Sequence, residues 1–224
     1  MKKSRDVKRV TFSKAKTNAN ELVHLAGGDF GNAYIGRVHF NDGSIHRVAI
    51  KIFHHPGLTD EKAARYQRAI QDLRQARVKL PKMGMHKLTE GPHKGEWVQI
   101  SQLFGSTKKG SKIQNHNGLS TNTSKASEEL ILELTKIANA GYNPAYDAIE
   151  PFKDETKGRI LIDIDQIRKS LASERAENLI NLINHLTRNQ HKRKKLLNLV
   201  MQTASPEMKE AITSSTLSRR ITRE

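Results

Sequence analysis

Two periodicities divide the chain. In its N-terminal half, apolar side chains alternate with polar ones over short stretches; in its C-terminal half they recur every three to four positions. The alternation predicts strands at Val7–Phe12, Tyr34–Phe40 and Ile45–Phe53, the last two joined through Asn41-Asp42-Gly43-Ser44. Asp-Gly between apolar, β-branched runs is a strong hairpin signal, because both residues tolerate the positive φ that a tight turn demands. Pro56 and Gly57 end the second strand, and Thr59 is placed to cap a helix running to about Val78. Its apolar stripe is Ala63, Tyr66, Ile70, Leu73 and the aliphatic stem of Arg77, with Pro81 beyond it. A second hairpin is expected from Met85–Thr89 and Glu96–Phe104, turning around Gly91-Pro92-His93-Lys94-Gly95, with Trp97 packed in the sheet.

The helical period takes over at Glu128–Ala140, where Leu130, Ile131, Leu134, Ile137 and Ala138 share a face that stops at Gly141. Short strands are expected at Ala148–Phe152 and Arg159–Ile164, then helices near Gln166–Leu186 and Lys192–Gln202 and a last one after Ser205-Pro206. Gly105–Ser127 is Ser, Thr, Asn, Lys and Gly with few apolar anchors, the composition of a linker or mobile loop. The expected class is α+β: a basic N-terminal segment 1–20, a β-rich lobe 21–105, a linker 106–127 and a reduced helical lobe 128–224 with a basic tail.

Composition narrows the chemistry. With no cysteine among 224 residues, a disulfide scaffold, thiolate catalysis and sulfur-ligated zinc are excluded. No apolar run approaches the roughly 20 residues of a membrane span. Met1–Lys16 is basic without an apolar stretch, so a soluble, cytoplasmic protein is expected. The net charge of +16 implies attraction to polyanions, concentrated at Lys2–Lys16, at His191-Lys192-Arg193-Lys194-Lys195 and at Arg219, Arg220 and Arg223. Aromatic residues are 5% and do not interleave with these clusters, so a base-stacking surface finds little support. His54 and His55 are adjacent beside Pro56 and lack metal-ligand partners at useful spacing, which fits an exposed loop.

Candidate chemistry begins at Ala26–Tyr34. Gly27, Gly28 and Gly31 let the backbone turn sharply and approach a ligand without Cβ obstruction, and successive N–H groups in such a turn suit phosphate oxygens. Ordinary hairpins use the same residues. The next strand ends in Val48-Ala49-Ile50-Lys51, where a lysine after three apolar residues is costly to bury unless its ammonium meets an anion. A strand-end lysine reaching solvent is the plainer alternative.

This order of glycine turn, strand, Asp-Gly hairpin, Val-Ala-Ile-Lys and helix resembles the N-terminal lobe of the protein-kinase-like superfamily, over roughly residues 20–105. The family's Gly-x-Gly-x-Phe-Gly-x-Val-Tyr stands here as Ala26-Gly27-Gly28-Asp29-Phe30-Gly31-Asn32-Ala33-Tyr34, with Ala26 replacing the first glycine. The resemblance implies a bilobal fold, ATP with Mg²⁺ as cofactors, phosphates held by Lys51 and covered by Gly27, Gly28, Phe30 and Gly31, and adenine near Gln102, Leu103 and Phe104. It also implies a helix glutamate paired with Lys51. Glu61 is the only glutamate in the helix, though in the first turn a carboxylate equally suits the helix dipole, and Asp72 lies nearer the middle on a shorter arm.

In the C-terminal half, Arg159-Ile-Leu-Ile-Asp163-Ile-Asp165 resembles the strand leading to the family's metal-binding Asp-Phe-Gly, which implies Asp163 as the metal ligand; the plainer alternative is that Asp163 or Asp165 caps the helix that follows. No His-x-Asp stands between Gly141 and Ala148; the sequence there is Tyr142-Asn143-Pro144-Ala145-Tyr146-Asp147. Two registers are open. Asp147 matches the catalytic base with Phe152 at the metal-binding Asn, or Asp147 takes that Asn position and Tyr142 or Asn143 stands where the base would be. After Asp165 about sixty residues remain, too few for a full peptide-docking platform. The expectation is a compact kinase-like phosphotransferase acting on a protein or small-molecule hydroxyl. The alternatives are a catalytically impaired binding module of the same fold and a nucleic-acid-binding basic protein.

Overall fold

A computed structural model describes residues 7–14, 21–54, 56–103, 124–144, 149–151, 159–161, 164, 167–216, 218 and 221. The chain is α+β and divides into two compact units, one of Met1–Ile70 with Pro81–Lys108, the other of Gln71–Leu80 with Lys109–Glu224.

The first unit is an antiparallel sheet in the order β1-β3-β4-β6-β5, with β2 also paired to β3. Its strands are β1 (Val7–Phe12), β2 (His24–Gly28), β3 (Gly31–Phe40), β4 (Ile45–Phe53), β5 (Met83–Lys87) and β6 (Trp97–Gln102). β3 is long enough to serve two partners on one edge: its first residues pair with β2 and its last with β1, and a Lys14–Leu22 bridge links the two partners. The close fit depends on glycine. A Cβ at Gly36 would lie 2.1 Å from Ile50 Cδ1 and 2.6 Å from the Thr11 carbonyl oxygen.

Because successive side chains point to opposite faces, the sheet has two distinct surfaces. One carries Val38, Val48, Ile50, Val98 and Ile100, which with Leu88 form the core, flanked by Val10, Phe12 and Ile52. Ile50 and Val98 are fully buried, each contributing roughly 1.5–3 kcal/mol of transfer free energy. The other surface carries Ala49, Lys51 and Phe53 on β4, and Phe53 stacks on Tyr66 of helix α1 (Asp60–Gln75) with ring centroids 6.0 Å apart.

Thr59 caps α1 as its sequence position implies, its Oγ1 accepting the Lys62 N–H at 3.2 Å. Asp60 ties this end of the helix to the sheet, accepting from Trp97 Nε1 at 2.6 Å and from Lys87 Nζ at 2.9 Å. Those two donors hold its carboxyl below the usual carboxylate range. The helix stops earlier than its stripe suggests. Arg77 is not on that stripe: it has φ 57°, with its N–H on the Arg74 carbonyl and the Val78 N–H on the Leu73 carbonyl. This is a Schellman termination with arginine in the place that glycine usually takes.

The second unit is helical, with α2 (Ser124–Asn139), α3 (Ala172–Leu186), α4 (Gln190–Thr203), α5 (Pro206–Ser214) and a short hairpin of β7 (Ile149–Pro151) and β8 (Arg159–Leu161). Leu130, Ile131, Leu134 and Ile137 of α2 are fully buried, as are Leu179 and Ile183 of α3. α2 ends at Gly141 as its sequence implies, with φ 89° and the Tyr142 N–H on the Ile137 carbonyl. α2 begins within the stretch that reads as a linker, since its first turn has no apolar signal. α3 starts at Ala172 rather than near Gln166, because Lys169 bridges to Tyr142 in extended form before the helix begins. Arg175, its side chain 4% exposed, donates to the Ala138 carbonyl at 2.8 Å and to Glu207 Oε1 at 2.9 Å, joining α2, α3 and α5. Among the described residues no helix is long and apolar enough to cross a membrane.

Candidate functional site

The glycine segment is a hairpin. β2 and β3 close on the pair Gly28–Gly31 with Asp29 and Phe30 in the turn. The glycines have different tasks. At Gly31 a Cβ would lie 2.2 Å from the Ile52 carbonyl oxygen and 2.9 Å from Phe53 Cα, so this glycine lets β3 approach β4. At Gly28 a Cβ would meet nothing within 4 Å, so this glycine is not required by close packing. Phe30 is 49% exposed at the tip, with Leu25 also exposed on β2.

The tip is held by a residue that sequence reasoning set aside. His54, just past β4, donates its backbone N–H to the Phe30 carbonyl at 3.0 Å, and its Nε2 lies 2.9 Å from the Gly28 carbonyl. A carbonyl only accepts, so this contact selects the tautomer with the proton on Nε2. Its only sequence signal is position: the first residue past a strand whose partner ends at the turn.

Lys51 is half-buried on β4, directly across from Ala33 of β3 on one side and Gln99 of β6 on the other. Its Nζ lies 5.9 Å from the centre of the Phe53 ring. Gln99 is 3% exposed, and its Oε1 has no hydrogen-bond partner. A buried unpaired amide oxygen costs about 1–3 kcal/mol, and this one belongs to the residue directly across from Lys51. The sequence concealed it: Gln99 sits within Trp-Val-Gln-Ile-Ser, where apolar neighbours suggest plain strand.

The row continues to β5, where Met85 lies across from Gln99. Along β6, Gln102 is exposed and Leu103 half-buried beyond the strand end. Glu61 is exposed in the first turn of α1, the location where a carboxylate serves the helix dipole. Gln67, mid-helix, accepts the Met85 N–H at 3.0 Å and so covers the open edge of β5.

In the second unit, Asp147, Asp163, Asp165 and Phe152 lie outside the described residues, as does Phe104. Their neighbours are informative. The Tyr142 hydroxyl donates to Asp72 Oδ2 at 2.7 Å, and Lys169 Nζ lies 3.6 Å from the same oxygen and 5.5 Å from the centre of the Tyr142 ring. Asn143 accepts from the Asn178 amide through its side chain and donates its backbone N–H to the Arg168 carbonyl. Tyr142 and Asn143 are thus engaged in holding this unit together, and Asp72 is engaged with them. Among the described residues no group of three His, Asp or Glu side chains is placed to hold a metal ion.

Compared with known proteins, the chain matches no family model and no curated relative.

Proposed function

We propose that the chain is a nucleotide-binding, kinase-like phosphotransferase that takes ATP with Mg²⁺ and transfers a phosphoryl group to a hydroxyl of a protein or small molecule. The observation that carries the reading is Lys51: a half-buried cation at the centre of the sheet, on a strand reached from the glycine hairpin through β3. In this reading Lys51 holds phosphate oxygens, the glycine hairpin of Gly27, Gly28, Phe30 and Gly31 covers them, and the purine lies toward Gln102 and Leu103. Helix α1 inserted between β4 and β5 accords with the resemblance in the sequence. Mg²⁺ would fall to Asp147 and Asp163, where it would neutralise charge on the phosphates.

The competing reading is a binding module of the same fold without phosphoryl transfer. It is favoured by the engagement of Tyr142 and Asn143 in hydrogen bonds, which removes both as stand-ins for the base in the register where Asp147 takes the metal position. General-base help is worth ~10²–10⁴-fold, so its loss slows transfer without removing nucleotide affinity. Thermal shift with ATP, with and without Mg²⁺, followed by transfer assays with radiolabelled ATP, separates the two. A shift with turnover supports the enzyme, a shift without turnover the binding module, and no shift in either condition refutes both. Charge-driven nucleic-acid binding draws less support, since Arg193 and Lys195 of the basic run are bonded to the Thr187 carbonyl and to Glu128.

A further inference from the structure

The sheet face that carries Lys51 becomes strongly cationic further along β4. Alternation puts Ile45, Arg47, Ala49 and Lys51 on one side of that strand, opposite the core residues Val48 and Ile50. The register then sets two rows across β1, β3 and β4: Thr11, Arg37 and Arg47 in one, Arg9, His39 and Ile45 in the next. Thr11 Oγ1 and His39 Nε2 are hydrogen-bonded at 3.1 Å, a diagonal contact that only side chains of one face can make. Arg9, Arg37, Arg47 and Ile45 are exposed there. At ~3.4 Å per residue, Arg47 stands ~13 Å along the strand from Lys51. These rows contain none of the residues assigned to the nucleotide above, so the patch does not rest on that reading.

Like charges directly opposite each other on neighbouring strands are destabilising. Arg37 and Arg47 are such a pair, and Arg9 lies on the diagonal from Arg37. An anion seated between the two guanidiniums replaces their repulsion with attraction to both. Each guanidinium is a planar fork of N–H donors that meets oxygens in pairs. Two forks side by side suit a group with more than two acceptor oxygens and more than one charge. A phosphomonoester is such a group, with roughly −1.5 to −2 charge near neutral pH and three strong acceptor oxygens, whereas a carboxylate is not. The rows span three strands spaced ~4.8 Å apart, about 10 Å in all, which is room for one phosphate and its flanking chain rather than a phosphate tract. They contain no Phe, Tyr or Trp on which a base would stack. Ile45, 57% exposed and directly across from His39, adds apolar surface beside the arginines.

We propose that this face binds a phosphorylated polypeptide segment. Its phosphoserine or phosphothreonine is clasped by Arg37 and Arg47 with Arg9 alongside, and an apolar side chain next to it lies against Ile45. Arginine clusters are a recurring means of reading phosphorylated segments, and here they sit on a sheet whose register fixes their spacing.

The test is fluorescence anisotropy of the full chain with labelled heptapeptides of randomised flanks, carrying phosphoserine or serine at the centre. The phosphoserine mixture is expected to bind saturably and the serine mixture on the order of tenfold more weakly. The double change Arg37→Gln with Arg47→Gln should weaken phosphoserine binding on the order of tenfold, and Arg47→Lys, which keeps the charge and loses the fork, about threefold. Lys94→Gln with Lys192→Gln, which removes the same charge from exposed positions elsewhere, and Lys51→Ala should each leave it within about twofold. If the double arginine variant melts below the wild type, Arg47→Lys decides the matter alone. Equal affinity for the two mixtures, equal losses in the arginine and lysine double variants, or a loss in Lys51→Ala with none in Arg47→Lys would overturn the proposal. So would binding of a single-stranded oligonucleotide or of phosphatidylserine vesicles that depends on Arg37 and Arg47 while the phosphoserine mixture does not bind.

Discussion

Replacing Gly31 by alanine tests whether the glycine hairpin is built by close strand approach. The added Cβ would stand 2.2 Å from the Ile52 carbonyl oxygen, whereas carbon and oxygen settle near ~3.3 Å. β3 must retreat from β4 by about 1 Å, and N–H···O bonds in the normal range of ~2.7–3.2 Å do not survive that opening. Losing about two ladder bonds at ~1 kcal/mol each, with overpacking of ~1–3 kcal/mol, gives an expected destabilisation of about 3–5 kcal/mol. Gly28→Ala is the control: its Cβ meets nothing within 4 Å, and the expected change is within ~0.5 kcal/mol. Trp97, the only tryptophan, lies in the same sheet, so its fluorescence in urea reports this unit's unfolding midpoint. Equal midpoints for Gly31→Ala and Gly28→Ala would refute the packing account.

Other expectations follow from the same geometry. Arg77→Gly removes a left-handed non-glycine residue and should stabilise the chain by about 1 kcal/mol, seen as a higher midpoint by far-ultraviolet circular dichroism; a lower midpoint would contradict the helix-end assignment. Arg175→Met strands the Ala138 carbonyl and Glu207 and should cost roughly 1–3 kcal/mol, whereas Glu207→Gln, at the exposed end of the pair, should cost under ~1 kcal/mol. Burial holds the His86 imidazole below its ordinary value of 6.5, so the unfolded chain takes up its proton first as pH falls. Stability from this group is therefore present above about pH 6.5 and declines below it. Urea midpoints at about pH 7.5 and 5.5 should differ more for the wild type than for His86→Gln; an identical difference would remove His86 as the cause.

Much of the architecture was legible because local signals and packing agree. Asp42-Gly43 placed the β3–β4 hairpin, with Gly43 at φ 83°, and Gly141 placed the end of α2. Disagreement arose where tertiary contacts overrode period. Apolar spacing carried the first helix to Val78, but Leu73 and Val78 are buried through a helix-end turn that forces Arg77 into a left-handed conformation. The same spacing started α3 too early, because Leu171, at its N-cap, makes no side-chain cap bond that would announce the boundary. At the candidate site, Lys51 and the glycines were readable from order along the chain. His54 and Gln99 were not, because their meaning comes from partners 26 residues away in one case and across the sheet in the other.

The central claim is that Lys51 meets the phosphates of a nucleotide. Its most direct test is labelling of the intact chain with an acyl-phosphate derivative of ATP, which acylates a lysine held against the phosphates, followed by peptide mapping. The account predicts that Lys51 is modified ahead of the many exposed lysines and that excess ATP protects it. Uniform modification across surface lysines, with ATP giving Lys51 no protection, would contradict it.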